Sequence, residues 1–285
     1  AHGRKALQSA GIKLSDEQDS RFKSLLKDTF LYYPTMENAL GNLSCLLPTR
    51  IASTWGFTGP AFKVSALANS GVRALELAQF FLNNDLVDTM IVGGVELTGT
   101  LENTLIRGQT DQYYKAQGNS SKLLGNSIAE GAVAMVLCAD EAIVSKSSYA
   151  YLRGIKLGVA ASASQLIDSN LETSGLTANQ INHIEVTGKT STDELDMKAL
   201  GALFSGNTSI STSESSFGRS ETLSGFLSTL KTVLCLHHKA KPPYPDKAIK
   251  PSTPLACLPQ ALFWEQGSQN GVRTSMVSHY KVGND

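Results

Sequence analysis

The sequence predicts an α/β fold built from two related halves. Three observations carry that prediction. Short all-apolar runs are sized for strands buried on both faces, segments of helical period alternate with them, and each half carries a small-residue turn, a long apolar helix and an apolar strand. The halves divide near position 145, about 1–145 and 146–285.

Residues 1–45 read as mostly helical. "GRKALQSAG" ends on Gly11, suited to a C-cap, and "SDEQDSRFKSLLKDTFLYY" places acids early and bases later on an apolar helical spacing. "TRIASTWGFTGPAF" breaks the period with turn residues and leads into "KVSALANSGVRALELAQ". That turn opens a helix on which Val72, Leu75, Leu77, Ala78, Phe81 and Leu82 mark a buried face, and Asn83, Asn84 and Asp85 end it. "TMIVGGVEL" follows as a strand buried on both faces. Gly93 and Gly94 lack the Lys-Ser/Thr ending of a phosphate loop and read as close-packing glycines.

"GAVAMVLCADEAIV" is a second apolar strand running into helix-like residues, and "YAYLRGIKLGVA" reads as another strand. "SQLIDSNLETSGLTANQINHIEVTGKT" gives helix, turn and strand, with His183 placed just before the strand. Thr208–Ser216 suits either a linker or a strand with its loop. "TLSGFLSTLKTVLCLHH" is apolar nearly all round and so deeply buried, "KPPYP" stops it, and "VRTSMVSHYKV" forms the last strand.

Lysine plus arginine equals aspartate plus glutamate at 25 each, so no global field recommends nucleic acid, and no basic run with interleaved aromatics appears. Cys45, Cys138, Cys235 and Cys257 lie far apart without a CxxC pair. Three of them sit in apolar surroundings, as buried reduced thiols of a cytoplasmic protein would. No apolar run reaches the length of a membrane span, and the first residues lack the apolar core of a signal peptide. His237 and His238 are adjacent and face different ways on their helix. With no carboxylate or cysteine at i, i+4 to complete a site, no metal is expected, and the pair suits a solvated helix end.

Several landmarks then fall in one order. "RIASTWGFTGPAFKVSALANSGVRALELA" is similar to "RISY…L.GPS..VDTACSSSL.ALHLA", and "VDTMIVGGVEL" to "D.ALVGGVN". "IAEGAVAMVLCADEA" matches "GEGAG..VLK....A", and "SGLTANQINHIEVTGKTSTDELDMKAL" matches "AGL.P.DID.VEAHGTGT..GDPIEA.AL". "SSFGRSETLSGFLSTLKTVLCLHH" is similar to "SNIGHTEAAAG.AG.IKTVLALRH", and "RTSMVSHYKVGND" to "RAAVSSFGFGGTN". From about Arg50 to the end the chain resembles the β-ketoacyl synthases of the thiolase fold. The resemblance implies one ketosynthase-like domain over 1–285, layered as αβαβα with mixed sheets. The family's glycine-rich first strand has no counterpart and the stretch from Pro243 to Trp264 is short, so the chain is expected to be part of a longer one.

The same resemblance locates the family's chemistry. Its members hold an acyl chain as a thioester on a cysteine activated at a helix N-terminus, and two histidines assist decarboxylation of the extender. Here Ala68 stands at the cysteine's place, Thr187 at the first histidine's and Arg219 at the second's. Lys231 and Glu221 sit where the family keeps a supporting lysine and glutamate, and His279 replaces its gatekeeper phenylalanine. Ser65, Ala68 and His279 would line an acyl pocket. Alanine is no nucleophile and threonine no general acid near neutral pH. Ser65 and Ser70 flank the empty position but lack a placed histidine base, so they read as packing and hydrogen-bonding residues. Arg219 reads as one half of an ion pair with Glu221 or Glu214, and the sharper alternative is a fixed cation at the pocket floor able to hold a carboxylate, phosphate or carbonyl.

The resemblance therefore implies a chain length factor: an inactive ketosynthase homologue, without a cofactor, that pairs with an active β-ketoacyl synthase as heterodimer or didomain. It would meet acyl carrier protein only indirectly, in fatty acid or polyketide biosynthesis. The alternatives are a residual acyl-thioester decarboxylase or hydrolase acting through Arg219, Lys231 or a serine, and a module that binds an acyl chain without reacting.

Overall fold

The computed structural model describes residues 15–30, 43–97, 129–139, 148–158, 163–188, 200–204, 207–218, 220, 222–244, 255–265 and 271–280. The helix expected over 1–11 lies outside them, as do Arg219 and Glu221. The chain divides into a unit of residues 1–63 and a unit of residues 64–285.

In the first unit, α1 (Asp16–Phe30) opens with Asp16, Glu17 and Asp19 against its positive end. Ser15 and Gln18 form a reciprocal capping box: the Ser15 N–H donates to Gln18 Oε1 at 3.0 Å and the Gln18 N–H to Ser15 Oγ at 3.3 Å. Helix α2 (Leu46–Trp55) stops at Gly56, whose left-handed φ of 68° turns the chain.

In the second unit a 3₁₀ turn (Leu67–Asn69) runs directly into α3 (Ser70–Asn83), which buries Gly71, Leu75, Ala78 and Leu82. Strand β1 (Thr89–Glu96) pairs antiparallel with β2 (Gly131–Cys138), setting Ile91 opposite Val136 and Gly93 opposite Ala134. One side of this ribbon meets α3, and Val92 and Val133 join Leu75, Ala78, Leu223 and Phe226 in an apolar cluster. The other side leaves Ile91, Val95 and Val136 more than half exposed. The expectation of a strand buried on both faces is thus corrected, because helices pack against only one side among the described residues.

Helix α4 (Ala163–Ser174) and a 3₁₀ turn (Ala178–Gln180) lead to β3 (His183–Gly188). Of residues 149–160, expected as a strand, the described part 149–158 has no ladder partner among the described residues; Ile155 packs on the apolar cluster instead. Thr208–Ser216 resolves as β4 (Ser209–Thr212), buried throughout, and the short α5 (Glu214–Phe217). Helix α6 (Ser224–His238) ends at Lys239 in the left-handed region, ahead of the prolines. Its buried residues are Ser224, Gly225, Phe226, Ser228 and Thr232, while Leu234 near its end is exposed. Burial therefore extends as far as Thr232 rather than over the whole helix.

Strands β5 (Ala240–Lys241) and β7 (Leu262–Phe263) pair antiparallel, and β6 (Ala256–Cys257) and β8 (Ser275–Tyr280) flank a parallel sheet ordered β6-β4-β3-β8. Ile184, Val186 and Ile210 of that sheet are fully buried against Ile167, Leu200, Phe204 and Met276. The three cysteines in apolar surroundings are less buried than expected: Cys45 is exposed and Cys138 and Cys235 are half-buried, as is Cys257.

Helix α6 joins the β1-β2 ribbon to the four-stranded sheet, packing on β2, β3, β8 and α3. Its first turn interlocks with that of α3 through one glycine from each. A Cβ on Gly71 would lie 2.6 Å from Phe226 Cβ, and one on Gly225 would lie 2.4 Å from Val72 Cγ2. Both helices begin Ser-Gly followed by a bulky apolar residue, so each glycine opens the notch that receives the other helix's side chain.

Candidate functional site

Ala68 lies in the 3₁₀ turn that runs directly into α3. Leu67, just before Ala68, holds φ at 49°, a strained region for a side-chain-bearing residue. Ser70 steadies the turn: the Ala66 N–H donates to Ser70 Oγ at 2.9 Å, and that hydroxyl donates to the Leu67 carbonyl at 2.6 Å. Ala68 is half-buried, while Ser65 and Leu67 are exposed. Ser70 is thus the hydrogen-bonding residue the sequence suggested.

Thr187 lies near the end of β3, directly opposite His279 on β8, and is fully buried. His279 also reaches α6, its ring Cγ lying 3.5 Å from where a Cβ on Gly225 would stand. Since Val72 meets the same glycine, Thr187, His279 and the first turns of α3 and α6 converge. The Thr187 hydroxyl finds no hydrogen-bond partner among the described residues.

Lys231 belongs to a different group, further along α6. Its ammonium donates to Glu185 Oε1 at 3.0 Å, to Glu185 Oε2 at 2.9 Å and to Ser211 Oγ at 3.3 Å. Ser211 donates to Glu185 Oε2 and meets His183 Nε2 at 3.1 Å, and His183 Nδ1 meets Ser209 Oγ at 2.9 Å. His183 is the first residue of β3 and fully buried, correcting its placement before the strand. The edge of Trp264 faces it at 5.5 Å between ring centroids.

Burial pushes the His183 imidazole below its ordinary value despite the nearby Glu185 carboxylate. Burial alone would raise Glu185, but its hydrogen bonds to His183 and Ser211 and the charge of Lys231 hold it below the usual carboxylate range. Burial also lowers Lys241 and raises the Cys235 thiol and the Tyr244 phenol.

Histidine, glutamate and serine so placed invite comparison with a hydrolase triad, but the order of proton donation is wrong. Ser211 gives its proton to the carboxylate rather than to the imidazole, and all three residues are at most 1% exposed. The group joins β3, β4 and α6 and offers no nucleophile. Glu96, at the end of β1, makes another internal tie. Its Oε2 accepts from Ser220 Oγ at 2.7 Å, Thr222 Oγ1 at 3.0 Å and the N–H groups of Thr222 and Leu223 at 2.9 and 3.2 Å. That places a carboxylate at the positive end of α6.

Sequence reasoning missed His183, Glu185, Ser211 and Glu96 as a working set. The signals were present: Glu185 is the glutamate common to "EVTG" and "EAHG", and Glu96 ends "GGVE" where the quoted pattern ends "GGVN". Among the described residues no group of three or more metal-ligating side chains forms, and no helix is long and apolar enough to cross a membrane. His237 and His238 lie exposed at the end of α6.

The comparisons with known proteins agree on one family. Residues 2–142 match the model of the β-ketoacyl synthase N-terminal domain, and residues 150–246 that of the C-terminal domain. The chain belongs to the β-ketoacyl synthase family. This ketosynthase-like chain is 27% identical over 254 residues to a subunit of the polyunsaturated fatty acid synthase of Thraustochytrium sp., covering 81% of itself and 12% of that protein. It is 24% identical over 258 residues to polyketide synthase PksM of Bacillus subtilis, covering 79% of itself and 6% of that protein. Among solved structures, the ketosynthase from module 6 of the Bacillus subtilis bacillaene synthase aligns with a TM-score of 0.62 at 22% identity, over 81% of this chain and 48% of that one. The fold is thiolase-like, and the chain spans about an eighth or less of those curated relatives and under half of that solved ketosynthase.

Proposed function

We propose that this ketosynthase-like chain is catalytically silent and acts as a chain length factor, the structural partner of an active β-ketoacyl synthase in a polyketide or polyunsaturated fatty acid system. The observation that carries this reading is a formed elbow with an alanine in it. Leu67 keeps its strained φ of 49° and Ser70 its two turn-holding bonds, although Ala68 has nothing to activate. Strain maintained at a turn without a nucleophile fits a surface kept for its shape. Thr187 and Arg219, at the places of the family's histidines, extend the same loss.

The pairing also follows from physical cost. At about 25 cal/mol per Å² of apolar area, an apolar face left in water forgoes several kcal/mol that a second subunit would recover. The partner supplies the thiolate and both histidines, and carrier-bound acyl chains are met through it. Hydrolysis by a serine is disfavoured, because Ser211 is sealed inside the fold and Ser65 has no base beside it among the described residues.

Two assays test the proposal. The purified chain with malonyl- and acyl-carrier protein is expected to give no condensation. An active synthase given this chain is expected to shift its product length, activity or thermal stability. Turnover by the chain alone, or a synthase indifferent to it by all three measures, would overturn the reading.

A further inference from the structure

The buried group around His183 holds two complete hydrogen-bond patterns that differ by one proton. With the imidazole neutral, Ser211 spends its only proton on Glu185 and so must accept from His183, which makes Nε2 the protonated nitrogen. Nδ1 is then an acceptor, and the Ser209 hydroxyl, 2.9 Å away, donates to it. A second acceptor lies within reach of that hydroxyl: the Asn182 carbonyl, 3.3 Å from Ser209 Oγ, which also accepts from the Ser209 N–H at 3.1 Å and from Lys241 at 3.2 Å. If Nδ1 gains a proton from solvent, it donates to Ser209 Oγ, and the Ser209 proton turns to Asn182. No heavy atom needs to move and no donor loses its acceptor.

We propose that His183 is a proton-operated latch: protonation turns Ser209 from the ring to the Asn182 carbonyl and sets a second cation on the Glu185 carboxylate that holds Lys231, so acid loosens α6 from β3 and β4. The surrounding groups set the balance. On β3 the only charge facing the ring is Glu185, whose Oε2 lies 3.9 Å from Nε2 and favours protonation. Helix α6 brings Lys231 and the half-buried Cys235, and β5 brings Lys241, which lies 5.6 Å from the Trp264 ring that also edges His183. Strand β4 contributes only Ser209 and Ser211, and β8 only Ser275, which bonds the His183 carbonyl at 3.0 Å. Burial opposes the proton most, the Glu185 carboxylate invites it, and among the described residues Lys231 and Lys241 add smaller opposition, so the ring's value lies below its ordinary one.

The sign follows from linkage. With the folded value below 6.5, the unfolded chain binds the proton first, so stability is intact above about pH 6.5 and falls as pH drops towards the folded value. The latch meets α6 at Lys231, near the middle of the helix, and the Gly225–Val72 notch lies about two turns nearer its start, so release is passed along α6 to the notch and from there to α3.

The experiment uses the full chain with isotope-labelled histidine. Imidazole nitrogen spectra recorded downward from pH 8 should show the Nε2–H form giving way to imidazolium below pH 6.5 while the chain is still folded. Amide exchange over 224–238, corrected for intrinsic rates, should rise about tenfold across the same step. His183→Gln should remove that pH dependence. Ser209→Ala keeps the ring but removes the relay, and should lower the midpoint by about one pH unit. A ring that stays neutral until the chain unfolds, an unchanged midpoint in Ser209→Ala, or equal pH dependence in His183→Gln would overturn the proposal.

Discussion

At the start of β3, His183 and Glu185 are sealed from solvent with every polar atom engaged; at its end, on the same face, Thr187 is equally sealed and its hydroxyl finds no partner among the described residues. Period-2 alternation puts the three on one side of the strand, facing one helix. The first two tie β3 to β4 and α6. The third stands where the family resemblance places a catalytic histidine. Polar groups inside a protein are kept saturated when they hold elements together, because an unpaired one is costly in low dielectric. An unsaturated hydroxyl at the other end of the same face has no such structural task. On the proposed reading, the chain shed its reactive groups and retained the polar pins of its scaffold.

The sharpest way to break this contrast is to remove a pin. Lys231→Met leaves the Glu185 carboxylate buried without its ammonium partner, and breaking such a pair costs about 3–5 kcal/mol. Urea unfolding should show that loss, while Lys231→Met combined with Glu185→Gln should regain much of it, because no unpaired charge is then buried. A single-variant loss below about 1 kcal/mol would mean that water reaches the pair and that the two ends of β3 differ less than their burial indicates.

A smaller effect is expected where α3 and α6 interlock. An added methyl at Gly225 would lie 2.4 Å from Val72 Cγ2, and one at Gly71 would lie 2.6 Å from Phe226 Cβ. Each alanine variant should lose about 1–3 kcal/mol by overpacking. The two should differ in rescue. Val72→Ala removes the obstructing methyl and should recover Gly225→Ala, whereas Phe226 meets Gly71 with its own Cβ, which trimming to alanine leaves in place. Thermal unfolding of the four single and double variants would decide. Equal rescue of both would show that the helices slide apart rather than clash.

Much of this was readable beforehand, and the exceptions are instructive. The period of "GVRALELAQ" and the apolar run "MIVGGV" place α3 and β1 because burial imposes those repeats directly. The open outer face of β1 was not readable, since a strand covered on one side and one covered on both can carry the same apolar run. The elbow was recognisable as small residues before a helix, but the φ of Leu67 was not, as nothing local announces a leucine in the left-handed region. The His183 group escaped notice because its members lie 26 to 28 residues apart along the chain and meet only through parallel strand pairing. Serines at alternate positions of "TSISTS" look like a linker until a histidine and a carboxylate are set beside them.

The smallest expected effect bears most directly on the contrast. Thr187→Val keeps the branched shape that suits a strand and removes only the hydroxyl. If that hydroxyl is buried and unpaired, its loss relieves a desolvation penalty, and the variant should unfold at a stability unchanged or raised by about 1 kcal/mol. Ser211→Ala is the matched control on the neighbouring strand, removing a hydroxyl that donates to Glu185 and accepts from Lys231, and it should lose about 1–3 kcal/mol. Opposite signs for two hydroxyl deletions on adjacent strands would locate the structural work at one end of β3. Should Thr187→Val lose as much as Ser211→Ala, Thr187 would be another pin of the scaffold, and the convergence of Thr187, His279 and the two helix starts would have to be read as architecture alone.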